Sequence, residues 1–110
     1  MALAQLAAEN YVYLTTTGRV SGKPRTVELW FLAHEGKVYM VSERPERANW
    51  VRNIQANPRV HVRIAKQEWN GHGRVLDRVE QPLWDTVNRL ICEKYHEPKP
   101  WGTPIEVTLL

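Results

Sequence analysis

Two stretches near the start of the chain, residues 11–16 and 26–31, show a strict alternation of side chains. Apolar residues such as Val12 and Leu14 alternate with polar and aromatic ones in the first stretch, and the second follows the same rule. A period of two is typical of strands that bury one face. The connection between them contains two glycines and a proline, which favour a turn. The sequence therefore predicts a β-hairpin.

Periodicity predicts the other elements in the same way. They are a short helix over residues 1–10, strands over 37–42, 59–65, 68–76 and 105–109, a helix over 46–56 and a helix that begins at Pro82. Pro58, Pro98 and Pro100 end helices, because the residue before a proline avoids the α region. Gly71 and Gly73 permit a bulge or a tight corner in their strand. The result is a mainly β fold of the α+β class, with six antiparallel strands and two or three helices, which fits a small closed or split β-barrel.

The composition is that of a small globular protein. With 110 residues, of which 43% are hydrophobic and 25% charged, the chain is predicted to form one domain over residues 1–110. A chain of this size leaves much of its surface exposed, so a dimer would add burial. No apolar run approaches a membrane span, and the start of the chain is too short and uncharged for a secretory signal. The single cysteine, Cys92, agrees with a reducing cytoplasm.

The net charge of +3 leaves nucleic acids, anionic lipids and phosphorylated small molecules open as partners. Arg19, Lys23 and Arg25 lie in or beside the predicted turn, together with hydroxyl side chains. Cations, hydroxyls and backbone N–H groups suit a phosphate or another compact anion, although many basic hairpin turns bind nothing. The turn does not match a nucleotide P-loop, because residues 18–23 are one residue short of its spacing and Pro24 replaces its Ser or Thr.

Two separated motifs carry a resemblance to a known family. They are T-T-T-G-R-V-S-G-K-P-R-T-V at residues 15–27 and A-N-W-V-R-N-I-Q-A-N-P-R-V-H-V at residues 48–62, with Ser42 between them. In this order and spacing they resemble the deazaflavin-dependent nitroreductase family. That family is a branch of the flavin-binding split-barrel superfamily, which also includes the pyridoxamine 5′-phosphate oxidases. The similarity covers about residues 11–76.

The resemblance implies a six-stranded antiparallel split β-barrel that forms a homodimer, with cofactor sites along the subunit interface. It implies an oxidoreductase that transfers a hydride from a reduced deazaflavin coenzyme (coenzyme F-420) or from FMN to a small organic acceptor such as a quinone or nitroaromatic. The cofactor-binding residues that it implies are Thr17, Arg19, Ser21, Gly22, Lys23, Pro24, Arg25, Ser42, Trp50 and Asn53. No catalytic residue is implied, since no carboxylate or histidine must act as an acid or base.

By the same resemblance, the basic turn holds the phosphate-bearing tail of the cofactor and Ser42 lies near its ring system. Two departures from the family pattern keep deazaflavin and FMN both open. Glu28 stands where family members often carry proline, and residues 43–47 form a short charged segment where many members have a glycine-rich loop. A protein that binds cofactor without turnover also agrees with these departures.

Nucleic-acid binding by a small basic barrel is the rival class of function. Arg59, His61 and Arg63 share one face of a predicted strand. With Trp30 and Tyr39 on neighbouring strands, they would form a basic and aromatic platform for single strands. A solvated strand face is the simpler interpretation, and the modest net charge does not favour nucleic acid as the partner.

Metal and hydrolase chemistry have weaker support in the sequence. Cys92 and His96 lie four residues apart on the predicted last helix, but two ligands do not complete a metal site. Ser21 lies in a basic turn rather than in a G-x-S-x-G elbow, so a serine hydrolase is not indicated.

Overall fold

Seven short strands and two α-helices make up most of the part of the chain that the structure describes. The computed structural model describes residues 3–97 and 102–110. The strands are β1 Val12–Thr17, β2 Pro24–Leu29, β3 Leu32–His34, β4 Lys37–Ser42, β5 Arg59–Ile64, β6 Gln67–Val75 and β7 Thr103–Leu109. The α-helices are α1 Asn49–Ala56 and α2 Gln81–Tyr95, and short 3-10 helices cover Leu3–Leu6 and Arg78–Glu80.

The strands form one antiparallel sheet in the order β2-β1-β5-β6-β7-β4-β3. Its two edge strands are consecutive in the chain, and only Trp30 and Phe31 lie between them. A flat sheet of seven strands would place its edges about 29 Å apart. Three Cα-to-Cα steps can span only about 11 Å. The sheet therefore has to curl until its edges approach each other, which gives the predicted split barrel.

The described residues contain seven strands instead of the predicted six, because residues 26–31 do not continue as a single strand. Phe31 interrupts the run, since its backbone groups bond to side chains of α2 instead of to another strand. Its N–H donates to the hydroxyl of Tyr95 (3.0 Å), and its carbonyl accepts from Nζ of Lys94 (2.9 Å). The chain leaves one sheet edge as β2 and enters the opposite edge as β3.

Two apolar clusters lie on the two faces of the curled sheet. The larger cluster fills the barrel interior and includes Val12, Leu14, Phe31, Met40, Ile54, Val62 and Ile105. The smaller cluster lies between the outer face of β3 and β4 and the apolar stripe of α2, and it includes Tyr39, Val41, Val87 and Ile91. Leu83, Val87, Leu90 and Ile91 recur at helical spacing and predict an apolar stripe on the last helix, which is confirmed, and so is Pro82 in its first turn.

Helix α1 packs across β6, and Gly73 allows this close approach. A Cβ atom at Gly73 would lie 3.1 Å from a methyl carbon of Ile54. Of the two predicted alternatives at Gly71 and Gly73, a bulge or a tight corner, the register shows no bulge: Gly71 pairs in sequence with both β5 and β7, and Gly73 with β7. Close packing of a neighbouring element accounts for glycine at residue 73.

Several predicted boundaries shift in the structure. The helix predicted over residues 46–56 begins at Asn49, and the first segment forms a 3-10 helix over Leu3–Leu6 instead of a longer helix. Helix α2 ends at Tyr95, where His96 takes a left-handed conformation with φ of 59°. Met1, Pro98 and Pro100, which also belong to the predicted elements, lie outside the described residues.

Candidate functional site

The turn between β1 and β2 is a compact, hydrogen-bonded loop. The N–H of Gly18 donates to the carbonyl of Lys23 (2.8 Å), and the N–H of Gly22 donates to the carbonyl of Gly18 (2.8 Å). Gly22 has φ of 73°, a conformation that other L-residues rarely adopt. The hydroxyl of Ser21 accepts from the N–H of Lys23 (3.2 Å). The basic turn therefore has a defined shape.

Arg19 is fixed in this turn by two asparagines on α1. Its Nη1 donates to Oδ1 of Asn53 (2.9 Å), and its Nη2 donates to Oδ1 of Asn49 (3.2 Å). The backbone N–H of Arg19 also donates to Oδ1 of Asn53 (3.2 Å). Asn49 and Asn53 are four residues apart, so they share one helix face.

Asn53 joins three elements through one buried amide. Asn53 is only 3% exposed. While its oxygen accepts from Arg19, its Nδ2 donates to the hydroxyl of Thr16 on β1 (3.1 Å). A buried amide without partners would destabilise the fold by about 1 to 3 kcal/mol. The bonds of Asn53 therefore connect the turn, β1 and α1 as one unit.

A cavity of about 660 Å³ lies between this turn and α1, and we call it the cationic cavity. It is lined by Thr16, Gly18, Arg19, Val20, Ser21, Pro24, Arg25, Thr26, Val27, Asn49, Trp50 and Asn53. Two of these residues are arginines, and none of the described lining residues is acidic. Arg25 pairs across the strands with buried Thr16, so its side chain leaves the sheet on the cavity side. The cavity therefore has a positive lining.

Six of the predicted site residues come together in this cavity: Arg19, Ser21, Pro24, Arg25, Trp50 and Asn53. Thr17, Gly22 and Lys23 lie in the same hairpin without lining the cavity. Asn49 was missed by the sequence analysis, although it stands just before Trp50 in the second motif. Its spacing of four residues from Asn53 was the available signal, because that spacing places both amides on one face.

Ser42 lines a second cavity of about 400 Å³, which we call the aromatic cavity. Its lining residues are Tyr11, Glu28, Leu29, Trp30, Val41, Ser42, Glu43 and Trp50. Trp50 lines both cavities, so they adjoin each other at this indole. Ser42 ends β4 and is 9% exposed. Because they share Trp50, the two cavities make up one candidate site with a cationic part and an aromatic part, and the aromatic part also includes Glu28 and Glu43.

The predicted nucleic-acid platform does not form. Tyr39 is 3% exposed and lies on β4, which is not a neighbour of β5. Trp30 stacks on Tyr95 at a centroid distance of 4.3 Å. On the outer face of β5, Nε2 of His61 lies 2.7 Å from a carboxylate oxygen of Glu68. Arg59 and Arg63 are exposed on β5, but buried Tyr39, stacked Trp30 and acid-paired His61 do not join them in one open surface.

A network of charged side chains lies away from both cavities and connects β4, β6 and β7. Glu106 on β7 is 4% exposed; its carboxylate accepts from the hydroxyl of Tyr39 (2.8 Å) and from Nε of Arg74 (3.0 Å). Burial alone raises the pKa of Glu106, but these hydrogen bonds outweigh burial and lower the pKa. Arg74 also makes two bonds with Glu80. These contacts stabilise the sheet rather than the candidate site.

No metal site is indicated in the described residues, where no three His, Cys, Asp or Glu side chains gather around a point. Burial raises the pKa of the Cys92 thiol, which disfavours the thiolate that a metal would bind. In residues 3–97 and 102–110, no helix has both the length and the apolar character needed to cross a membrane.

Comparison with known families decides what kind of protein has this site. The family model of the F420H(2)-dependent quinone reductases matches residues 3–109. The chain belongs to this family. Membership in the quinone reductase family makes the protein an oxidoreductase and confirms the predicted resemblance to deazaflavin-dependent enzymes. The family is named for its dependence on F420H(2), the reduced deazaflavin coenzyme, which agrees with the predicted coenzyme F-420.

Solved structures agree with this family and with the split barrel. An F420-H2 dependent reductase is 28% identical with a TM-score of 0.66, over 92% of this chain and 94% of that chain. A protein described as a domain-swapped dimer is 28% identical with a TM-score of 0.69, over 92% of this chain and 80% of that chain. The heme storage protein HutZ from Vibrio cholerae shares the fold, with a TM-score of 0.78 at 16% identity, over 100% of this chain and 92% of that chain.

Proposed function

We propose that the protein transfers a hydride from reduced coenzyme F-420 to a small organic acceptor such as a quinone or nitroaromatic. The observation that carries this proposal is the pair of adjoining cavities, one cationic and one aromatic, that share Trp50. A coenzyme with an anionic tail and a planar ring has the same division of charge and shape. The family membership of the chain supports the same coenzyme.

The cationic cavity fits the phosphate-bearing tail of such a coenzyme. Its guanidinium groups, Arg19 and Arg25, and the hydroxyl of Ser21 are donors without a competing carboxylate in the described lining. Lys23 adds a further positive charge in the same turn. Each charge-assisted hydrogen bond contributes about 1.5 to 3 kcal/mol, and the contacts of Arg19 with α1 fix its position before binding. We assign these groups to the tail.

The aromatic cavity fits the planar ring and the acceptor. Trp30 and Trp50 provide apolar walls, and the hydroxyl of Ser42 can donate a hydrogen bond toward the ring. When bound, the reduced deazaflavin supplies the hydride. The protein orients the two reactants, excludes water with its aromatic side chains and directs the Ser42 hydroxyl to the place where charge changes.

FMN is the second candidate, because its phosphate would meet the same positive lining and its ring is also planar. The heme storage protein HutZ is only 16% identical, so its similarity shows the fold alone. It does not favour another cofactor for this chain. The residues of the two cavities do not include a group that would bind only one of these coenzymes. Direct titration decides between them.

The test begins with the purified protein, whose absorbance spectrum and mass identify any ligand that co-purifies. Titration with coenzyme F-420 and, separately, with FMN then gives both dissociation constants. We expect tighter binding of coenzyme F-420 and oxidation of its reduced form on addition of the quinone menadione. If FMN binds more tightly, FMN takes the place of coenzyme F-420 in the proposed function. If neither coenzyme binds, the proposed function is wrong.

A further inference from the structure

The two residues between the sheet edges, Trp30 and Phe31, both contact the last turn of α2. The rings of Trp30 and Tyr95 stack with centroids 4.3 Å apart and planes 4° from parallel. The hydroxyl of Tyr95 donates to the carbonyl of Asn10 (2.7 Å) and accepts from the N–H of Phe31 (3.0 Å). Tyr95 thus contacts the connection through its ring and through its hydroxyl.

These contacts replace the strand pairing that the chain lacks at this point. Phe31 is fully buried, at 0% exposure, so an unpaired N–H there would destabilise the fold. Tyr95 satisfies the N–H of Phe31, and Lys94 donates to its carbonyl (2.9 Å). The ammonium of Lys94 also lies 3.7 Å from the centroid of the Phe31 ring. Helix α2 therefore determines the path of the chain between β2 and β3.

Tyr95 has no direct place in the candidate site, whereas Trp30 does. Trp30 lines the aromatic cavity together with Ser42 and Trp50. No residue of α2 lines either cavity. Any effect of Tyr95 on a molecule in the aromatic cavity must therefore pass through Trp30, through the backbone at Phe31, or through Asn10, whose neighbour Tyr11 also lines this cavity.

We propose that Tyr95 is a positioning residue for the acceptor: it fixes Trp30 and thereby sets the wall of the aromatic cavity against which a planar acceptor binds. This inference rests on the proposed function. It specifies that a side chain outside the site contributes to acceptor recognition and not to coenzyme binding. The stack with Trp30 carries the effect, because it is the contact that joins Tyr95 directly to a side chain of a residue that lines the aromatic cavity.

The test is a double-mutant cycle of Tyr95→Leu and Trp30→Leu, with menadione as the acceptor. Steady-state kinetics with reduced coenzyme F-420 give kcat and KM, and quenching of tryptophan fluorescence gives menadione binding without turnover. We expect Tyr95→Leu to raise the menadione KM and dissociation constant roughly threefold to tenfold. The dissociation constant of coenzyme F-420 should stay within twofold. The double variant should be no weaker than Trp30→Leu alone.

Tyr95→Phe keeps the ring and removes the hydroxyl. It should retain the near-ultraviolet circular dichroism of the stacked pair and bind menadione within about twofold of the wild type, while Tyr95→Leu loses that signal. If Tyr95→Leu does not fold, Tyr95→His in the same cycle changes the stacking partner in a smaller step. The matched control is Tyr39→Phe, which removes a buried hydroxyl bonded to Glu106 and should leave menadione binding unchanged.

Two results would overturn the inference while the proposed function stands. One is coenzyme binding and quinone reduction by a folded Tyr95→Leu variant with unchanged menadione KM and binding. The other is a double variant whose loss equals the sum of the two single losses, because Tyr95 would then act independently of Trp30. Failure of the wild-type protein to bind either coenzyme is a different outcome and would overturn the proposed function itself.

Discussion

Arg19 differs from the other two cations of the basic turn in how its charge is used. Its guanidinium donates to Asn49 and Asn53, so part of its hydrogen-bonding capacity stabilises the protein itself. Lys23 and Arg25 make no ion pair within the described ranges. The charge of Arg19 is not neutralised by these amides either, so all three cations are available to a ligand, and Arg19 in addition gives the cavity its shape.

Combining Lys23→Ala with Arg25→Ala should weaken coenzyme binding at least about tenfold and leave the fold intact. The physical reason is the loss of charge-assisted hydrogen bonds, each about 1.5 to 3 kcal/mol. Fluorescence titration with coenzyme F-420 measures the effect, and circular dichroism checks the fold. Arg78→Ala is a suitable control, because Arg78 lies over the ring of Trp84 (4.7 Å) and lines neither cavity. An unchanged dissociation constant in the double variant would place the phosphate elsewhere.

Ser42→Ala should raise the activation barrier by about 1 to 3 kcal/mol and so lower turnover, while coenzyme binding through the basic turn persists. The reason is that Ser42 lines the cavity assigned to the ring, and its hydroxyl can respond to charge that develops during transfer. Single-turnover oxidation of the reduced coenzyme, followed optically, measures this effect. His61→Ala and His72→Ala serve as controls, since neither histidine lines a cavity. A histidine variant that abolishes transfer, with Ser42→Ala silent, would contradict the assigned ring position.

At the scale of elements, the break between β2 and β3 shows what alternation can and cannot predict. The period of two correctly indicates extended chain on both sides of Phe31. It could not reveal the interruption, because the groups that replace strand pairing there come from Lys94 and Tyr95. These residues lie more than sixty positions away in the chain, and no local pattern encodes such a contact. Asn49 and Asn53, by contrast, share a helix face that their spacing already implies.

The contact between α2 and this break should make stability depend on pH through Lys94. Burial lowers the pKa of Lys94 from 10.5 to about 8, and Glu9 opposes this only in part. Between these values the unfolded chain binds more protons than the folded one, so stability should rise with pH. Below about pH 8 the contribution of Lys94 no longer changes. The pKa values of Tyr39 and Tyr95 are raised in the folded protein. Above their ordinary pKa of 10.0 the unfolded chain loses these protons first, so the two tyrosines reduce stability only as the pH passes 10.0.

Urea unfolding of the wild type and of Lys94→Met at pH 7 and pH 9.5 measures this dependence. The wild type should gain stability relative to Lys94→Met as the pH rises, because the variant lacks the titrating group. The comparison between the two proteins removes the contributions of the other ionisable groups that they share. A difference in unfolding free energy that is constant or falls with pH would show that folding does not lower the pKa of Lys94.

For the whole molecule, the sequence was sufficient for the fold class but not for the arrangement of the site. Alternating strands, turn residues and the two motifs led to the split barrel, which the structure and the related structures confirm. The joining of the two cavities at Trp50 depends on how α1 packs over β6, through Ile54 and Gly73. Such packing follows from side-chain shape in three dimensions, so spacing along the chain could indicate the members of the site but not their division into two cavities.

Both cavities open on the surface of a small barrel, and this leads to the prediction of an obligate homodimer. A chain of 110 residues buries a limited share of its own surface, so a second subunit over the cavities would stabilise the fold and help exclude water from the ring. A structurally similar protein at 28% identity is described as a domain-swapped dimer. Sedimentation should give one species near twice the chain mass of 12.8 kDa, and dilution should lower stability and coenzyme affinity together. A stable monomer with full affinity for the coenzyme would show that one chain completes the site alone.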